Sequence, residues 1–142
     1  MFLGKAKHIV DEKGRLVLPS RFRAELASGC VITKGRDGSL LLFTLGDFTK
    51  KAEQVREMPE NASSRRLART FAADADYQQP DKQGRVLINE ELRNFAGLQL
   101  GSEAAVLGVI DHVEVWNPNT YAADLERAER EYLDGGEEAA GS

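Results

Sequence analysis

The sequence predicts an α+β protein, mainly β, in which two tandem units form one pseudo-two-fold, barrel-like core with helices on its flanks. Three observations carry this. Asp11-Glu12-Lys13-Gly14-Arg15-Leu16-Val17-Leu18 returns 70 residues later as Asp81-Lys82-Gln83-Gly84-Arg85-Val86-Leu87-Ile88. Phe43 and Phe48 are matched by Trp116 and Tyr121 at a step of 73, so the duplication spans nearly the whole chain. Finally, a unit of about half of the 142 residues buries too little apolar surface to stand alone, and two units intertwined around one core solve that problem.

The elements follow in order. Residues 5–10 alternate polar and apolar side chains and read as a strand; Gly14 turns the chain, and 16–18 read as the returning strand of a hairpin. Pro19-Ser20 opens a short helix to Leu26, ended by Gly29. Residues 30–33 and 39–43 read as a second hairpin, turned through Gly35-Arg36-Asp37-Gly38. Thr44 and Asp47 have capping spacing for a helix over 44–58, which Pro59 closes. A second helix over 63–73 bridges to the next unit. There the order repeats: a lead-in over 75–80, the Gly84 turn, a strand over 86–88, and a short helix over 90–96 capped by Asn89 and ended by Gly97. Strands over 104–109 and 112–116 follow, with an insertion of about three residues expected within 98–102. Asn117-Pro118 starts a last helix, with Tyr121, Leu125, Ala128 and Tyr132 on its buried side. The expected divisions are a first unit over 1–58, a bridging segment over 59–74, a second unit over 75–133 and a frayed acidic tail over 134–142.

Composition narrows the function. With 42% hydrophobic and 30% charged residues the chain is an ordinary globular protein, and no run reaches the roughly 18 apolar residues of a membrane span. The N-terminus shows no signal-peptide pattern, and Cys30 is the single cysteine, which fits a reducing cytoplasm. The net charge of −4 is unevenly spread. Residues 1–36 carry eight Lys/Arg against three acids, whereas 111–142 carry nine acids against Arg127 and Arg130. Such asymmetry can leave a basic face on an acidic protein.

The repeated phrase holds the chemistry. Gly14 makes the reversal, Asp11 can accept turn N–H groups or pair with Arg15, and Arg15 stands at the rim with Lys13 beside it. A planar guanidinium on a rigid turn suits a phosphate oxygen or the O6/N7 edge of guanine. One copy alone reads first as a stable turn with a solvated salt bridge. Two copies at equivalent positions, the first in a basic segment, shift the reading towards nucleic acid. The candidate DNA-contacting residues are Lys7, Asp11, Lys13, Gly14 and Arg15, with Asp81, Lys82, Gly84 and Arg85 in the second copy; Lys5, Arg21 and Arg23 extend the basic surface. The second copy has Pro80 at its entrance, which removes a backbone donor, and Glu90 and Glu91 behind it. Its hairpin is therefore expected to be shorter or differently paired, and the first copy to dominate. Arg65, Arg66 and Arg69 read as structural or inter-subunit. His8 and His112 lie in no metal-ligand spacing, Cys30 sits in an apolar run, and no nucleotide-binding or nucleophile motif occurs, so neither enzyme activity nor a cofactor or metal is expected.

Taken together, Met1-Phe2-x-Gly4, Asp11-x-Lys13-Gly14-Arg15-Leu16 and Pro19-x-x-Phe22-Arg23 resemble the MraZ family. Asp81-x-Gln83-Gly84-Arg85, Leu92-Arg93-x-x-Ala96-Gly97-Leu98 and Gly108 through Glu114-x-Trp116 extend the match to about Tyr132. The resemblance implies tandem swapped-hairpin domains of the AbrB and MazE kind, assembled into a ring-shaped homo-oligomer. It implies a cytoplasmic, nucleoid-associated bacterial transcriptional regulator, repressing its own operon in the division and cell-wall cluster. Its partner would be double-stranded DNA, with Asp11/Arg15 and Asp81/Arg85 contacting short direct repeats; no membrane or small-molecule substrate is implied. The alternative is an antitoxin-like module whose acidic C-terminal segment binds a partner protein.

Overall fold

In the computed structural model of the chain, residues 1–141 are described, with side chains as far as Gly135. Eight strands and five helices are laid out in this stretch. Strands β1 (Phe2–Ile9) and β2 (Arg15–Val17) precede helix α1 (Ser20–Leu26), and the hairpin β3 (Cys30–Lys34) and β4 (Leu40–Phe43) leads to α2 (Leu45–Arg56) and α3 (Ala62–Ala73). The second repeat holds β5 (Asp76–Gln78), β6 (Arg85–Leu87), α4 (Glu90–Ala96), β7 (Glu103–Ile110), β8 (Val113–Trp116) and α5 (Pro118–Gly141).

Local signals set most boundaries. The Thr44 hydroxyl accepts from the Asp47 amide (3.1 Å), Asn61 caps α3 through the Ser64 amide (2.8 Å), and Asn89 caps α4 through the Leu92 amide (3.0 Å). Each bond satisfies a donor that the first helical turn leaves free. Asn117 accepts from the amides of Asn119 and Thr120, with Pro118 as the first residue of α5. Gly97 ends α4 in the left-handed conformation, φ 66°.

Pairing is where distance along the chain takes over. A six-stranded antiparallel sheet runs in the order β1-β7-β8-β4-β3-β5, and β2 and β6 form a separate two-stranded ribbon over the core. The hairpin expected between 5–10 and 16–18 forms only at its tip, where the Asp11 amide donates to the Arg15 carbonyl (2.9 Å) and Val10 bridges Leu16. Beyond the tip the strands part: β1 pairs with β7, and β2 pairs with its own counterpart β6. The exchange has a physical reason. Three-residue strands pair too weakly to stand alone, and crossing them places Leu16 and Val86 opposite each other on the core side, both buried. The barrel-like core is thus a six-stranded sheet covered by the ribbon, and the two sheets join through the Val10–Leu16 bridge.

The register reveals the pseudo-two-fold axis. It passes through Leu16 and Val86 in the ribbon, and through Leu41 and Glu114 where β4 meets β8. Val31 faces Phe43 as Ala105 faces Trp116, so β3 maps to β7 at a step of 74 but β4 to β8 at 73. The expected insertion is therefore one residue longer than read from the sequence, and the β7–β8 turn is one residue shorter than its counterpart. Phe2, Phe22, Leu18, Leu26, Ile32, Leu42, Ile88, Leu92, Val106 and Val115 fill the space between sheet, ribbon and short helices.

One expectation fails at the last helix. Tyr121 packs on Trp116 with ring centres 5.8 Å apart, as Phe48 does on Phe43 at 6.0 Å, but Ala128 and Tyr132 are exposed, Tyr132 by 82%. The helix has passed the edge of the sheet by that point, so among the described residues nothing covers its apolar stripe. Asp134 and Gly135 continue α5. The remainder of the expected tail, residues 136–142, lies outside the residues described with side chains.

Candidate nucleic-acid interface

Both turns are built alike. Asp11 Oδ1 accepts from the amides of Lys13 (2.9 Å) and Arg15 (2.9 Å), and Oδ2 from Arg15 Nε (3.0 Å). Asp81 does the same with the amides of Gln83 (2.9 Å) and Arg85 (2.9 Å) and with Arg85 Nε (2.7 Å). Gly14 and Gly84 close the turns at φ 82° and 76°, a region glycine enters without a Cβ clash. The Arg15 backbone N–H holds the Asp11 carboxyl below its ordinary value, helped by the Lys13 amide and the Arg15 guanidinium against some desolvation; Arg85 does the same for Asp81. Each aspartate is spent on shaping its turn. Each arginine gives Nε to that clasp, leaving the outer end of its guanidinium as the part that can meet a ligand.

The ribbon sets the two arginines side by side. Arg15 faces Leu87 and Val17 faces Arg85, so all four stand on one face while Leu16 and Val86 point into the core. Diagonal partners of this kind lie about 7–8 Å apart. Lys13 and Lys82 are exposed on the turns, and Lys7 is exposed on β1, the edge strand leading into the first turn. Lys5 Nζ instead lies 5.7 Å from the centre of the Tyr121 ring, and Arg65 pairs with Glu60 at 2.9 Å. Strand β5 has three residues where β1 has eight, which accords with Pro80 shortening the second hairpin.

Strand exchange corrects the expected charge environment. The Leu18 amide donates to the Gly84 carbonyl (2.8 Å) and the Ile88 amide to the Gly14 carbonyl (2.8 Å). Basic α1, with Arg21 and Arg23, therefore starts beside the second turn, and α4, with Glu90 and Glu91, starts beside the first. Glu91 also lies 3.6 Å from Lys34. Neighbours in sequence are not the neighbours in space. Arg93, which the sequence reading leaves without a role, reaches the first turn; its step of 70 from Arg23 is the signal that could have found it.

A second feature lies away from the ribbon. A cavity of about 860 Å³ opens between α2, α3 and the tip of the β7–β8 hairpin, with Val55, Met58, Leu67 and Phe71 on its apolar wall. His112 stands at its edge. Its two ring nitrogens contact Asp111 Oδ1 and Glu114 Oε2, both at 2.8 Å, while Glu114 Oε1 accepts from Trp116 Nε1 at 2.9 Å. Carboxylates only accept, so two such contacts call for the imidazolium. Burial by itself would lower the His112 pKa, but the bonds to Glu114 and Asp111 outweigh it and raise it. Cys30 is fully buried, and burial pushes its thiol up to about 12.

Fold and site together define a class: a duplicated, strand-exchanged α+β protein that presents two clasped arginines on one ribbon. The chain belongs to the MraZ family, whose model, described as "MraZ protein, putative antitoxin-like", matches residues 1–70 and again 71–140. It is 42% identical to the "Transcriptional regulator MraZ" of Saccharopolyspora erythraea, over 97% of this chain and 96% of that one. The protein of the same name from Kineococcus radiotolerans is 40% identical over 97% and 96%, and that from Arthrobacter sp. is 43% identical over 89% and 90%.

Proposed function

We propose that this chain is a DNA-binding transcriptional regulator whose ribbon reads operator DNA with Arg15 and Arg85. The observation that carries the reading is the pair of identically clasped arginines on one exposed face. A two-stranded ribbon is narrow enough for the roughly 12 Å major groove, and rigid guanidiniums match guanine O6/N7. A separation of about 7–8 Å between the arginines corresponds to about two base steps of roughly 3.4 Å. Lys7, Lys13 and Lys82 supply phosphate contacts, which set affinity and salt dependence without reading sequence.

The names of the relatives support regulation of transcription. The finer parts of the reading follow from the family resemblance: repression of the chain's own operon in the division and cell-wall cluster, direct repeats in the operator, and a cytoplasmic, nucleoid-associated homo-oligomeric ring. A ring multiplies weak loop contacts when the spacing of the repeats fits its own.

Arg15→Ala is expected to abolish specific binding to the chain's own upstream region while leaving the assembly unchanged. The intrinsic loss is about 1–3 kcal/mol for each recognition site. Gel-shift titration beside size-exclusion chromatography measures both, and retained operator affinity sinks the proposal. The antitoxin-like alternative is favoured by the exposed Tyr132 and Leu133 on acidic α5. Deleting residues 134–142 tests it: loss of a co-purifying protein partner favours the alternative, whereas unchanged operator binding favours the DNA-binding reading.

A further inference from the structure

The glycine of each turn is covered by an arginine from the other repeat. A β-carbon placed on Gly14 would lie 2.7 Å from Nη1 of Arg93 and 3.2 Å from the Ile88 carbonyl oxygen. One placed on Gly84 would lie 2.6 Å from Nε of Arg23 and 2.7 Å from its Cδ. Glycine at these positions therefore does two things: it takes the positive φ and leaves room for a guanidinium against the turn. The backbone completes each contact. Gly84 O accepts from the Leu18 amide (2.8 Å), and Leu18 O accepts from Arg23 Nε (2.8 Å), closing a circuit between α1 and the second turn. On the other side Gly14 O accepts from the Ile88 amide, with Arg93 of α4 over the same glycine. Both arginines are partly buried, and neither forms an ion pair among the described residues.

We propose that Arg93 and Arg23 are positioning residues that act across the repeats, Arg93 setting the first DNA-reading turn and Arg23 the second. An arginine clasped to its own aspartate is still only as well aimed as the turn that carries it. The guanidinium packed on the glycine fixes that turn against the helix of the opposite repeat. Packing of this kind needs a flat group, which lysine lacks. The inference rests on the DNA-reading proposal for its consequence, not for its geometry.

Two measurements test it. In amide hydrogen exchange of the full chain without DNA, Arg93→Ala speeds the Asp11, Gly14 and Arg15 amides about tenfold or more and leaves Gly84 and Arg85 unchanged. Arg23→Ala does the reverse. Acceleration in the variant's own repeat, or in neither turn, overturns the brace. The second measurement is a double-variant cycle on a duplex selected by the wild-type chain from a random-sequence pool. Arg15→Ala/Arg93→Ala is expected to bind within about twofold of Arg15→Ala alone, whereas the losses of Arg85→Ala and Arg93→Ala multiply. Multiplying losses in both pairs overturns the inference. Should an alanine variant fail to fold, Arg93→Lys keeps the charge and is expected to show the same crossed exchange; full protection with lysine overturns the brace. Crossed exchange together with wild-type DNA affinity in Arg15→Ala refutes the DNA-reading proposal while the brace stands.

Discussion

The two repeats agree where the turns are and disagree where the hairpins are. Asp11 and Asp81 make the same three hydrogen bonds, within 0.3 Å of one another. At matching positions of the second hairpin, Ser39, Leu41 and Phe43 are replaced by His112, Glu114 and Trp116, and the apolar contact becomes a charged network. The core tolerates either version, because Phe43 and Trp116 bury the same place with different shapes. The turns have no such freedom. The strands that carry them meet on the axis at Leu16 and Val86, and each turn is held by the strand end and helix of the other repeat.

The largest expected effect tests this at the axis. Leu16→Ala is expected to cost about 2–5 kcal/mol of stability and Val86→Ala less, since a smaller side chain leaves a smaller cavity. Each variant is expected to loosen both turns equally. Urea unfolding gives the first quantity, and backbone chemical shifts at Gly14 and Gly84 give the second. Shifts confined to one turn would break the symmetry claimed for the ribbon.

The next effect asks whether the turns are equal. Gly14→Ala and Gly84→Ala each force a β-carbon into positive φ, at about 1–2 kcal/mol, and each displaces an arginine. Thermal unfolding of both variants is expected to show the same loss. A loss twice as large at one site would mean that one brace carries more than the other.

The smallest effect sharpens the difference between hairpins. The His112 pKa is raised above 6.5 in the fold, so its ion pairs contribute fully below that pH and are lost as pH rises through the raised folded value. Stability is therefore expected to fall with rising pH in that window. His112→Ser, which gives the second hairpin the residue of the first, is expected to remove the slope; melting curves across neutral pH would expose a slope that persists.

What the sequence made legible was local. Caps at Thr44, Asn89 and Asn117, the αL end at Gly97 and the turn through Gly35–Gly38 depend on residues within a few positions of one another. The repeat also exposed the duplicated fold. Two things were out of reach because they depend on contacts some 70 residues away: the exchange of β2 with β6 and the placing of α4 beside the first turn. The point where α5 leaves the sheet was out of reach because the apolar spacing of the helix continues past it. The site followed the same division. Asp11 and Arg15 could be named from their spacing, but the acidic surroundings assigned to Arg85 belong in space to Arg15. The His112-Glu114-Trp116 part of the charged network was within reach, since alternate residues along a strand share a face.

Strand exchange also governs when the molecule can come into being. Phe2 pairs with Ile110, and Arg15 with Leu87, so β1 has no partner until nearly four-fifths of the chain exists. At ribosomal speeds that interval is on the order of ten seconds, and the first arginine turn stays without its supports until Leu87, Ile88 and Arg93 have been made. A nascent or truncated first repeat is thus no half-strength regulator. Competence arrives with the last strands, in one step, and an interrupted message yields a chain with an open edge instead of a weakened regulator.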